Sequence, residues 1–183
     1  MNEWDEIRFF DDRFPQLKQS NGYGVYGTTQ DLLMRHANDE VVIGIGDNSV
    51  RSQKHQSLVD AGLHLATIVH SSAVLSEDIE LGAGTVIMPQ AVLNNGVAVG
   101  KSCIINSGSI IEHDCQIGDF VHVSPGAVLG GGVMVGNKSW LGLGSAIKPF
   151  VKIGRNVTVG VGAAVIRNVP DDHTVAGVPA KQI

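Results

Sequence analysis

Two of the seven histidines stand where an imidazole could do chemistry. His113 lies between Glu112 and Asp114, and His122 follows nine residues later in Phe120-Val121-His122-Val123-Ser124. A carboxylate beside an imidazole holds one tautomer, the arrangement of a general base that deprotonates an attacking amine or hydroxyl. The remaining five stand outside that pair: His36, His55 and His64 on expected helix or loop surface, His70 at a seam and His173 in a closing loop. A zinc centre needs three converging histidines, and only His113 and His122 fall in the central coils, so no metal is expected. Cys103 and Cys115 read as small interior residues rather than a disulfide, which suits a reducing, cytoplasmic compartment. Gly44-Ile45-Gly46 lacks the third glycine of a dinucleotide fingerprint, because Ser49 stands there.

The elements that position these histidines emerge on counting in sixes. From position 69 to position 165 every sixth residue is Val, Leu or Ile. Four residues after each comes a small or β-branched residue, from Ala73 to Val169. A period of six belongs to neither a helix nor a strand meander; it is that of a hexapeptide β-solenoid. Each hexad lays down a short strand and a turn, and three hexads close one coil of a triangular prism. Leu81, Val99, Ile117, Val135 and Ile153 then form one internal ladder. With a strand spacing of about 4.8 Å the column is roughly 26 Å tall. Gly follows the aliphatic at 82, 100, 118, 130, 136, 142, 154 and 160, where a turning backbone benefits from lacking a Cβ. The general crossover rule favours right-handed winding. His113 comes two places after inward Ile111 and His122 one place before inward Val123, so both point outward. Nine residues are half a coil, which sets them on different sides of the prism. They can face one cavity only where two prisms pack side by side, and a three-sided prism most naturally forms a homotrimer.

The chain divides at about residue 67. Residues 1–67 read as a small α/β unit: a strand at 4–10, loop through Pro15 and 21–27, a helix from Thr28 or Thr29 to about Ala37, a buried strand at 40–45, a helix at 49–60 and a strand at 66–69. Residues 68–169 form the prism and 170–183 a closing tail. Aromatic residues make up only 5% of the chain, as a narrow aliphatic core requires. The net charge of −5 is divided unevenly. After residue 120, Asp171 and Asp172 face Lys138, Lys148, Lys152, Arg155, Arg167 and Lys181, a basic end suited to a polyanionic ligand. No apolar run approaches the ~20 residues of a membrane span, and neither a membrane nor a nucleic acid is an expected partner.

The hexads, Ile111-Glu112-His113-Asp114-Cys115, Phe120-Val121-His122-Val123-Ser124 and Gly177-Val178-Pro179-Ala180-Lys181 together resemble the hexapeptide-repeat acyltransferases. The branch they resemble includes the UDP-4-amino-sugar N-acetyltransferases of bacillosamine synthesis and the sialic acid O-acetyltransferases. The resemblance implies a mainly β fold, a left-handed parallel β-helix preceded by a small Rossmann-like α/β domain. It implies a bacterial glycan enzyme that transfers acetyl from acetyl-CoA to a nucleotide-linked amino sugar of the UDP-4-amino-4,6-dideoxy type. His113 is its implied general base and Asp114 the residue that tunes it. His122, Gly142, Leu143, Gly160, Val161 and Lys181 are implied for the coenzyme, and Asp11, Asp12 and Gly46 for the sugar nucleotide. His122 or backbone N–H groups would steady the oxyanion. Sugar O-acetylation and a non-catalytic scaffold or sugar-binding module are the alternatives. The family opens with a strand and a Gly-rich loop that this sequence does not contain, so the 4–10 and 40–45 strands are expected to lack a neighbour between them.

Overall fold

The computed structural model describes residues 4, 6–35 and 39–183. His36 and Ala37, the expected last residues of the first helix, lie outside them. The α/β unit comprises β1 (Phe9–Phe10), β2 (Gln19–Ser20), β3 (Tyr23–Gly27), α1 (Thr29–Arg35), β4 (Glu40–Val41), α2 (Asn48–Asp60) and β5 (His64–Leu65). Seventeen two-residue strands follow, β6 to β22, from Ile68–Val69 to Ala164–Val165, and then β23 (Thr174–Ala176) and β24 (Lys181–Gln182).

The prism has the expected register. Each strand pairs in parallel with the one eighteen positions on, as Ile104 does with His122 and His122 with Trp140. The result is three faces wound as a left-handed parallel β-helix. The crossover rule concerns connections that pack back across a sheet, whereas here each connection is a single tight corner. From Ile87 onward the aliphatic ladders and the small residues between them form one buried cluster. Burying each such Val, Leu or Ile contributes about 1.5–3 kcal/mol.

The glycines act differently from the sequence expectation. From position 84 to position 162 every sixth residue has a positive φ. Seven are glycines such as Gly84 and Gly132, but Asp114, Phe120, Lys138 and Phe150 occupy the same step. The glycines directly after the aliphatics have no positive φ. A Cβ on Gly82 would lie 2.5 Å from the Gly100 carbonyl carbon, and one on Gly136 2.5 Å from the Arg155 nitrogen. Those glycines permit the close approach of successive coils rather than the turn.

Four expectations for the α/β unit are corrected, the first being the strand at 4–10, where among the described residues only Phe9–Phe10 is paired. Residues 21–27 are not all loop: β3 pairs in parallel with β1 and in antiparallel with β2 across a turn at Asn21 and Gly22. The strand expected at 40–45 is paired only at Glu40–Val41, with His64–Leu65 as partner. The one expected at 66–69 belongs to the prism, since Ile68–Val69 pairs with Val86–Ile87. β1 and β4 lie in separate sheets, each with a partner of its own, β3 and β5. Thr28 caps α1 through its exchange with Asp31, and the Asp47 carboxylate accepts from Val50 N at 2.8 Å to cap α2.

Residues 166–183 finish every face. Gly154 donates to Val169 O, Ala164 N to Gly177 O, and Ala180 N to Ala164 O. β24 pairs antiparallel with β23, which makes it the edge of the His122 sheet.

Candidate active site

Each coil runs through the same six stations. The histidine face carries Ile104, His122, Trp140 and Thr158 outward and leads into the Leu143 corner, where Leu143 and Val161 stand exposed. The apolar face follows, with Val74, Val92, Ile110, Val128, Ala146 and Ala164 outward. It leads into the His113 corner, then the third face with Glu80, Gln116, Met134 and Lys152, then the Phe120 corner. The His113 corner is therefore opposite the histidine face. One protomer does not bring His113 and His122 together.

At the His113 corner, Nδ1 lies 2.8 Å from Asp114 Oδ2. The carboxylate accepts from Nδ1–H, which leaves the Nε2 lone pair free as a base. Asp114 adopts φ +60, a conformation that a short polar side chain tolerates. Glu112 is turned away, its Oε2 accepting from Asn94 Nδ2 at 2.8 Å. The imidazole leans over the next coil: a Cβ on Gly131 would stand 2.5 Å from Nε2. Alongside, Cβ atoms on Gly130 and Gly132 would strike the Pro149 and Phe150 rings at 2.6 and 2.7 Å. Gly130-Gly131-Gly132 thus lies between the His113 ring of the coil before and the Pro149 and Phe150 rings of the coil after.

His122 is enclosed. The Asn106 amide is oriented by Ser107 N, which donates to Oδ1 at 2.8 Å, so Nδ2 points to His122 Nε2 at 3.1 Å. The Gly46 carbonyl faces the same ring, and burial, with the Arg51 charge, holds His122 below the ordinary histidine range. Of its two ring nitrogens, Nε2 faces the Asn106 amide. Asn106 was not singled out from the sequence; its place beside the histidine follows from its position at the end of the preceding coil's strand.

The other expected residues fall into two groups. Gly142 and Gly160 are packed beneath the next coil, with Cβ positions 2.5 Å from Val159 O and 2.8 Å from Ala176 Cβ. Leu143 and Val161 beside them are exposed, and Lys181 lies on β24. In the α/β unit, Asp11 accepts both Nε and Nη2 of Arg13 at 2.8 Å, which pulls its carboxyl down to about 2. Asp12 accepts Lys54 Nζ at 2.5 Å and Thr29 N at 2.8 Å, binding β1, α1 and α2 together. Gly46 lies at the rim of a cleft of about 310 Å³, between the 46–49 loop and Lys138, Trp140, Asn156 and Thr158. A longer, shallower groove follows the third face, away from both histidines.

His55, expected on the surface, is a correction. It is 5% exposed, Nδ1 2.7 Å from Ser102 Oγ and its ring edge-on to Phe120. The α2 face that carries it packs on the Phe120 corner rather than facing solvent.

Among the described residues no cluster of His, Cys, Asp or Glu could hold a metal ion, and no helix is long and apolar enough to cross a membrane. Both cysteines are free and buried.

Comparison with known proteins adds to this geometry. Residues 1–58 match the PglD N-terminal domain family, and residues 96–131 match the bacterial transferase hexapeptide (six repeats). The acetyltransferase domain of PglB from Neisseria gonorrhoeae FA1090 is 34% identical over 98% of this chain and 88% of its own, with a TM-score of 0.93. A second structure of that domain is in complex with acetyl coenzyme A. PerB from Caulobacter crescentus, solved with CoA and GDP-perosamine, is 36% identical over 91% of this chain and 81% of its own, with a TM-score of 0.88. WeeI from Acinetobacter baumannii AYE is 30% identical over 96% and 85%, with a TM-score of 0.89.

Proposed function

From a chain that belongs to the hexapeptide-repeat acyltransferases and is an acetyl-CoA-dependent acetyltransferase, we propose a sugar N-acetyltransferase acting on a nucleotide-linked 4-amino-4,6-dideoxy sugar in bacterial glycan synthesis. The observation that carries this reading is the His113–Asp114 pair with its free Nε2, on a chain similar to PerB, which was solved with CoA and GDP-perosamine. The acceptor amine attacks the thioester carbonyl and loses its proton to Nε2. A C–N bond forms, the C–S bond breaks, and the proton passes to the departing thiolate. Asp114 stabilises the transient imidazolium. Because the Asn106 amide faces His122 Nε2, the oxyanion falls to backbone N–H groups in this reading.

The working unit in this reading is a trimer. The outward row of Val, Ile and Ala on the apolar face is a surface that favours burial. Turning that face of three copies to a common axis closes a ring of identical heterologous contacts. The His113 corner of one protomer then meets the Leu143 corner of the next, and the two half-sites share one cleft. Leu143, Val161, His122 and the backbone at Gly142 and Gly160 line the coenzyme, with Lys181 and the basic end toward its phosphates. Asp11, Asp12 and Gly46 frame the acceptor's site. A cytoplasmic location, where acetyl-CoA is available, accords with the free cysteines. The test is thiol release from acetyl-CoA with UDP- and GDP-linked 4-amino sugars, their hydroxyl counterparts and free sialic acid. Release with the amino sugars alone is the expected result; release only with hydroxyl acceptors refutes N-acetylation.

A further inference from the structure

Arg51, on α2, is 1% exposed, yet among the described residues no carboxylate forms an ion pair with it. Burying an unpaired cation is costly unless every donor is met, and here every donor is met. Nε donates to Ser102 O at 2.8 Å. Nη1 donates to Ile45 O and Gly46 O at 2.9 Å each, and Nη2 to Asn48 Oδ1 at 2.7 Å and Phe120 O at 2.9 Å. Asn48 extends the clasp by donating to Lys138 O and Ser139 O at 2.9 and 3.1 Å. The 45–48 loop is therefore latched to Ser102, Phe120 and Lys138, three successive coils of one corner.

Asn48, which Arg51 holds, donates to Ser139 O, and that same carbonyl accepts from His122 N at 3.0 Å; the Gly46 carbonyl that Arg51 also holds lies on the side of the His122 ring. We propose that Arg51 is a positioning residue for the transfer reaction: through Asn48 and the Gly46 carbonyl it fixes the acceptor loop and the His122 strand in one register. The inference rests on the functional reading above. In that reading Gly46 frames the sugar nucleotide and His122 lines the coenzyme, so the guanidinium sets the separation of the two substrates on this wall of the cleft. Five donors in a planar fork can do this; the three donors of a lysine ammonium cannot.

The test is Arg51→Lys in the full chain, read in two ways. With an active acceptor, its KM should rise about tenfold and kcat fall about tenfold, while KM for acetyl-CoA stays within twofold. Independently of turnover, ¹⁵N resonances of the His122 ring should show the Nδ1–H tautomer in the wild type and a mixture in the variant. Asn48→Ala, which keeps Arg51 and removes one acceptor, should shift both readings in the same direction by about threefold and is decisive if the lysine variant does not fold. A lower Tm with an unchanged His122 tautomer and unchanged acceptor KM would make Arg51 a structural clasp only and overturn the proposal. Wild-type inactivity on every amino sugar would instead refute the functional reading, leaving the tautomer measurement to judge the clasp.

Discussion

Gly131→Ala isolates the position of the His113 imidazole from its presence. The new Cβ would stand 2.5 Å from Nε2 and 2.6 Å from Cε1, whereas ordinary contact begins near 3.4 Å. The ring must retreat by about 1 Å, a misplacement that can lower a rate ~10²-fold when a reacting atom is displaced. The ring moves in preference to the backbone because the His113 side chain is 58% exposed and can swing. Gly131 has no positive φ, so the alanine brings no backbone strain and can add a few tenths of a kcal/mol, up to ~1, by restricting the unfolded chain. The expected result is a kcat lowered roughly 10–100-fold at an unchanged or slightly raised Tm, measured by thiol release and by thermal melts. His113→Ala alone should lower the rate by ~10²–10⁴, and Gly131→Ala should add nothing in that background. A Gly131→Ala enzyme within twofold of wild type would show that Nε2 does not act from where it stands. Independent effects in the double variant would refute the coupling.

Further outcomes follow from the same geometry. Val128→Glu places a charge in the middle of the apolar face and should abolish the trimer and the activity together in sedimentation and turnover assays; an active monomer would remove the shared cleft. Lys148→Glu and Arg167→Glu, near the His113 corner toward the basic end, should raise KM for acetyl-CoA several-fold, whereas Lys152→Glu, on the third face, should not. Burial holds His55 and His122 below the usual 6.5, so below that pH the unfolded chain binds protons that the fold resists. Stability should therefore fall as pH drops from about 6.5 toward the depressed folded values, and less steeply in His55→Gln; equal slopes would show that His55 is not the source.

The prism was legible because its repeat is local and long: each hexad restates which residue points inward, so an outward His113 and an outward His122 could be read by counting. The corner conformation was less legible. Glycine after the aliphatic looked like a turn signal, but the left-handed step falls two places later, where Phe120 and Phe150 give no compositional cue. Arg51 and His55 could not be read at all, since their partners at Ser102 and Phe120 lie 47 to 69 positions away and no local pattern records them. The α/β unit suffered from the same shortage, because two-residue strands such as Glu40–Val41 carry too little alternation to fix their length.

A stack of parallel coils is its own template. Any exposed last rung offers hydrogen-bonding groups spaced to accept another rung, and a second molecule can supply one as well as the same chain can. The reversal at β24 removes that opportunity on the histidine face, because an antiparallel strand presents a different bonding pattern and a lysine to anything arriving. Val169, Gly177 and Ala180 occupy the last rungs of the other two faces. The segment thus acts as a terminator of growth, and its loss would leave the last rung of each face open to an incoming strand.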